Sequence, residues 1–113
     1  MKVVTSPITL DELRAMAEQG FGVLVKAVVD VERRVMAVDA ELHADEEACL
    51  LAQGSLQEHL WGINLYPDME EGDWLEFDSM INLRPSQGNR SRGVDSPELR
   101  ALILEVVGAL VTR

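Results

Sequence analysis

Val23-Leu24-Val25-Lys26-Ala27-Val28-Val29-Asp30-Val31-Glu32-Arg33-Arg34-Val35-Met36-Ala37-Val38-Asp39-Ala40-Glu41-Leu42-His43 is the stretch whose period decides the fold. Apolar and polar positions alternate with a period of two, the mark of a half-buried strand. If Arg33-Arg34 is a tight turn, Glu32 faces Val35, and Val31, Val29, Ala27 and Val25 lie opposite Met36, Val38, Ala40 and Leu42. One face of the hairpin is then wholly apolar. A slip of one residue would carry Asp39 and Glu41 in among the valines, which the cost of burying unpaired carboxylates forbids. The turn is the weak element, because a two-residue hairpin turn favours Asn-Gly or Asp-Gly over Arg-Arg.

Upstream, Val3-Val4 predicts a short first strand ended by Pro7, and Thr9-Leu10-Asp11-Glu12 predicts a capping box that starts a helix. Leu10, Leu13, Met16 and Ala17 keep helical spacing, and Gly20 with Gly22 stops it. Downstream, residues 44–53 have acids in the first turn and alanine and leucine inside, which predicts a helix; a strand running into Gly54-Ser55 is the competing reading. Residues 60–66 and 74–84 form a second alternating pair. Trp61, Ile63 and Leu65 share one face of the first, and Leu75, Phe77, Ile81 and Leu83 one face of the second. Asp95 or Ser96 caps a last helix with Pro97 at its start, and Leu99, Leu102, Ile103, Val106 and Leu110 form its core stripe. Leu104, Val107 and Val111 widen that stripe and suggest a homo-oligomer contact through this helix. The predicted class is α+β: a two-layer sandwich with an antiparallel sheet of four to five strands and helices on one face, in a single domain over residues 1–113.

The chain carries 20 acidic and 10 basic residues, a formal net charge of -10, and such a field repels nucleic acid and anionic membrane. No apolar run approaches the roughly 20 residues needed to span a bilayer. Cys49 is the one cysteine, and no signal-peptide pattern opens the sequence, so the expected compartment is the cytoplasm.

Against that acidity, Arg84-Pro85-Ser86-Gln87-Gly88-Asn89-Arg90-Ser91-Arg92-Gly93 places three of the chain's cations within nine residues. Guanidinium groups grip carboxylate or phosphate through paired hydrogen bonds, and glycines let backbone N–H groups approach an anion. Arg84, Ser86, Gln87, Asn89, Arg90 and Arg92 are therefore candidate binding residues for a small anionic ligand or an acidic protein segment. The plain alternative is that these groups satisfy the loop's own backbone and the sheet's carboxylates. In that case Arg90 and Arg92 are the arginines expected to stay free. The spacing matches no Walker loop or dinucleotide fingerprint, so no cofactor is implied.

The polar sheet face offers a second set. Asp39, Glu41 and His43 at alternate positions of one strand bear oxygen and nitrogen donors suited to magnesium, manganese or zinc, with Asp78 or Glu76 closing the site from a partner strand. His43 and Asp78 are also candidate acid–base catalysts. A solvated sheet face alternates in the same way.

Three segments carry a resemblance: His43-Ala44-Asp45-Glu46-Glu47; Leu60-Trp61-Gly62-Ile63-Asn64-Leu65-Tyr66-Pro67; and residues 76–92. With Pro7-Ile8-Thr9-Leu10-Asp11-Glu12-Leu13, they resemble a small prokaryotic family of uncharacterised proteins, a domain of unknown function, over nearly the whole chain. The resemblance implies a glycine in the hairpin turn where this chain has Arg34, and it implies no activity, ligand or catalytic residue. The functional expectation is a small binding or regulatory protein whose loop 84–93 receives an anion. The rival is a metal-assisted hydrolase of a phosphate-containing substrate using Asp39, Glu41, His43 and Asp78.

Overall fold

Asp30 decides where the first hairpin turns. The computed structural model describes all 113 residues. In it, strands β3 (Val25–Asp30) and β4 (Val35–Val38) pair antiparallel with Asp30 opposite Val35 and Val29 opposite Met36. The turn therefore spans residues 31–34 rather than Arg33-Arg34 alone, and the register lies two residues from the expected one. A shift of two preserves the faces, so the apolar side stays apolar. The buried Asp30 carboxylate shapes the longer turn: Oδ1 accepts from the N–H groups of Glu32 (3.0 Å) and Arg33 (2.9 Å), and Oδ2 accepts from Ser55 Oγ (2.6 Å). This is the aspartate-led turn geometry that competes with a two-residue hairpin. Arg34 closes the turn with a positive φ of 58°, the conformation for which a glycine at this place is suited.

Around this hairpin the sheet runs β1-β4-β3-β5-β6, all antiparallel, with β1 at Lys2–Val4, β5 at Leu60–Leu65 and β6 at Leu75–Glu76. Helix α1 (Leu10–Gln19) begins with the expected capping box on Thr9 and Glu12. Helix α3 (Pro97–Leu110) begins at Ser96, whose hydroxyl accepts from the Leu99 N–H. A parallel pairing of β2 (Ile8–Thr9) with β7 (Val111–Thr112) ties the two ends of the chain together. Leu13 and Ala17 of α1 and Ile103, Val106 and Val107 of α3 pack against Val25, Ala27, Val29, Met36, Val38 and Ile63 in the main core. The class is α+β with a five-stranded antiparallel sheet.

The helix layer differs from expectation. Residues 43–52 are helical, as α2 (His43–Ala52), and Leu50 of α2 packs with Val28, Val35, Ala37 and Leu60 on the opposite sheet face. The face expected to be open and solvated is covered, because Val28, Ala37 and Leu60 supply it with apolar side chains. In α3, Val107 is buried in the core, while Leu104 remains the exposed member of the widened stripe.

The second hairpin is shorter than its alternation implies. β6 ends at Glu76; a 3-10 turn follows at Met80–Asn82, capped by Ser79, whose Oγ accepts from the Ile81 N–H at 3.3 Å. Phe77 packs against the main core, Ile81 against the α2-side cluster, and Leu83 is exposed, so these side chains do not share a face. Gly62 of β5 explains the departure. A Cβ there would stand 2.5 Å from the Ser79 Cβ, so only glycine lets the chain cross so closely. Asn82 then takes the place of the missing strand residue. Its Oδ1 accepts from Gly62 N–H (2.8 Å) and its Nδ2 donates to Gly62 C=O (2.9 Å), a side-chain amide doing what a backbone peptide does in a ladder.

Candidate functional site: a polar groove at the start of helix α2

The arginine loop is built from its own polar groups. Arg84 and Asn89 exchange backbone hydrogen bonds at 2.9 and 3.1 Å, with Gly88 in the left-handed conformation (φ 83°) between them. Asn89, almost fully buried, donates through Nδ2 to the carbonyls of Asn82 (2.7 Å), Gly93 (2.8 Å) and Ser91 (3.1 Å), and its Oδ1 accepts from Asp95 N–H (2.8 Å). Arg84 donates to the carbonyls of Gln57 and Leu60, each at 2.5 Å, and its guanidinium lies 4.1 Å from the Trp61 ring centre. Gln87 donates to the Glu58 carbonyl at 2.8 Å. Asp95 accepts from Ser91 Oγ and Arg90 N–H, bonds that hold its carboxyl below the ordinary value. Three of the six candidate side chains, Arg84, Gln87 and Asn89, are thus committed internally. Ser86 and the Arg90 side chain project without a hydrogen-bond partner, and Arg92 Nε binds Asp78 Oδ1 at 2.8 Å. Arg90 alone of the two favoured arginines is unpaired.

The row Asp39, Glu41, His43 does not exist as a row. β4 ends at Val38, and Asp39 turns the chain with a φ of 70° while its N–H donates to Lys26 C=O at 3.3 Å; His43 then opens α2. Asp39 and Glu41 are exposed beside a small hollow of about 200 Å³, whereas His43 and Asp78 line a different and larger groove. No three His, Cys, Asp or Glu side chains converge in a metal-ligating arrangement. Lys26 sits opposite Asn64 on β5, and its ammonium lies 5.1 Å from the Phe21 ring centre.

That larger groove encloses about 530 Å³. Its floor is a cross-strand row on the α2 side of the sheet: Lys26 of β3 opposite Asn64 of β5, and Asn64 opposite Glu76 of β6. His43 and Leu42 wall one side; Asp78, Ser79, Met80 and Ile81 wall the other, with Tyr66 and Arg92 beside them. Asn64 Nδ2 donates to Glu76 Oε1 at 2.8 Å and Tyr66 Oη donates to the same oxygen at 3.1 Å. Burial, then that carboxylate, raises the Tyr66 phenol above its ordinary value and keeps it a donor.

His43 is held in one tautomer. Its Nε2 lies 2.7 Å from the Ile63 carbonyl, which can only accept, so Nε2 carries the hydrogen and neutral Nδ1 carries the lone pair. Burial lowers the His43 pKa, outweighing the carbonyl's contribution, and the imidazole is neutral at physiological pH. Nδ1 makes no hydrogen bond within the protein, and His43 lines the groove.

One turn further along α2, Glu46 is fully buried; burial raises its pKa to about 9, although Oε2 accepts from Ala40 N–H at 3.1 Å. From sequence Glu46 was one of the acids in the first turn of the expected helix, and Lys26, Asn64 and Tyr66 were assigned to no site. Lys26, Asn64 and Glu76 did alternate onto the non-core face, and that shared face was the available signal.

The sequence model of a family described as a protein of unknown function (DUF5674) matches residues 2–110. No curated protein and no solved structure matches the chain.

Proposed function

The chain belongs to the DUF5674 family of proteins of unknown function, and from its geometry we propose that it is a small binding protein whose ligand is a small anionic molecule held in the groove at the start of α2. The supporting observation is the convergence there of Lys26, His43, Asn64, Tyr66, Glu76, Asp78 and Arg92 around about 530 Å³ of open space. Pockets of this size, with a few polar groups among apolar walls, are the usual form of small-molecule sites. Lys26 has no ion-pair partner and Arg92 retains its terminal nitrogens beyond the bond from Nε. These are the groove's two cations. In this reading the loop 84–93 is the frame that presents Arg92, and the anion sits beside the loop rather than on it. A cytoplasmic setting belongs to the same proposal, supported by the single unpaired Cys49.

Thermal melts against carboxylates and phosphate monoesters test this, since a ligand at 100 times its Kd adds about 2.7 kcal/mol. Lys26→Ala and Arg92→Ala are expected to abolish the stabilisation and Arg90→Ala to leave it intact. Stabilisation lost in Arg90→Ala alone would return the site to the loop.

A second reading is favoured by the His43 geometry. A neutral imidazole with a fixed tautomer and a free Nδ1 is a general base, and Asp78 stands across the same groove. It needs no ligand set from Asp39 or Glu41.

A further inference from the structure

We infer that the groove's ligand is a zwitterion, an α-amino acid with an apolar side chain. This rests on the anion-binding reading above and specifies what else the ligand carries.

The groove is not uniformly positive. Lys26 and Arg92 are matched in number by Glu76 and Asp78, and Arg92 is already bonded to Asp78. What remains is one unpaired cation and one carboxylate without a cation, Lys26 and Glu76. They occupy the two ends of the row Lys26–Asn64–Glu76 across three adjacent strands. Neighbouring strands lie about 4.8 Å apart, so the two charges spring from backbone positions about 10 Å apart and face the same way. Asn64 stands between them and keeps them from pairing, its Nδ2 already donated to Glu76.

A simple anion satisfies Lys26 and leaves Glu76 facing it, a like-charge contact that weakens binding. A molecule with an ammonium and a carboxylate on one carbon satisfies both ends. Its two charged heads, plus a hydrogen bond of about 2.8 Å at each, bridge such a row. His43 lines the same groove, and its Nδ1 is a further acceptor suited to a second ammonium hydrogen. The groove's remaining walls are hydrocarbon: Leu24, Leu42, Met80 and Ile81, with Leu42 and Met80 largely exposed in the free protein. They offer an aliphatic side chain a place that a purely polar zwitterion would leave unused.

Calorimetric titration with three probes tests the assignment: L-leucine, its desamino analogue 4-methylpentanoate, and L-leucinamide, which lacks the carboxylate. Leucine is expected to bind at least about tenfold tighter than either analogue. Glu76→Gln keeps an acceptor for Asn64 and Tyr66 while removing the charge. It is expected to weaken leucine about tenfold and leave 4-methylpentanoate unchanged or improved. If 4-methylpentanoate binds as tightly as leucine, or if Glu76→Gln binds leucine as wild type does, the zwitterion assignment falls and the anion site stands. If leucinamide binds and both carboxylates do not, the anion reading falls with it. Silence from all three probes overturns both.

Discussion

The arginine loop and the α2 groove are opposites in what they show and what they leave open. The loop concentrates charge in sequence, yet Arg84, Gln87 and Asn89 spend their donors on six carbonyls: Gln57, Leu60, Glu58, Asn82, Ser91 and Gly93. The groove draws its polar groups from scattered positions, none conspicuous alone, and leaves Lys26 without an ion-pair partner and His43 Nδ1 without a hydrogen-bond partner. A basic, glycine-punctuated run signals surplus charge only after its backbone has been satisfied. What marks a site is the donor or acceptor left over, and that is a property of the fold.

The largest expected effect lies in α2, which walls the groove. Glu46 has its folded pKa at about 9, against an ordinary 4.5 in the unfolded chain. Below about pH 4.5 both states hold the proton and no penalty arises. Between that pH and about 9 the unfolded chain ionises while the folded one does not, so stability falls as pH rises. Glu46→Gln keeps an acceptor for the Ala40 N–H and removes the titration. It should raise the unfolding free energy at pH 8 by on the order of 4 kcal/mol and flatten the pH profile, as read by urea denaturation. A variant with the wild-type profile would show that Glu46 is ionised in the folded protein and that α2 is held otherwise.

Asn82→Ala sharpens the loop side of the comparison. It leaves the Gly62 N–H and C=O without their partners, and takes a donor from Arg92 C=O, beneath a closely packed crossing. The expected cost is about 3 kcal/mol. Asn89→Ala, which unties several carbonyls of the loop, should cost a similar amount. If Asn89→Ala instead costs almost nothing, the loop is not the scaffold its hydrogen bonds describe, and a binding role for Asn89 returns.

The same contrast accounts for what was legible beforehand. Face assignment survived a wrong turn because a register shift of two residues keeps every side chain on its side, and the Thr9–Glu12 capping box is local enough to be read directly. The turn itself escaped because the deciding group, the Asp30 carboxylate, draws part of its support from Ser55, 25 residues away. The strand expected through residues 77–84 failed for a like reason. Its alternation is genuine, but the Asn82 carboxamide satisfies Gly62 in place of a strand, and no period reports a side chain standing in for a backbone. At the site, His43, Asp78 and Arg92 were singled out from their types, and the fold does bring them to one groove. Asp39 and Glu41 were tied to His43 by an alternation that ends at Val38.

The smallest expected effect separates the two arginines that sequence reading treated alike. Arg90 contributes its backbone N–H to Asp95 at 2.7 Å, and its side chain contacts no partner. Arg90→Ala keeps that N–H, so the change in unfolding free energy should stay below about 0.5 kcal/mol. Arg92→Ala removes an exposed ion pair with Asp78, worth no more than about 1 kcal/mol. Stability alone therefore hardly distinguishes them, and the ligand does. In the groove reading, loss of Arg92 also frees the Asp78 carboxylate to repel an anion, so affinity drops by more than the loss of one contact, whereas loss of Arg90 changes nothing. Equal losses of affinity in the two variants would mean that the anion spans loop and groove together, and the contrast between the two regions would no longer hold.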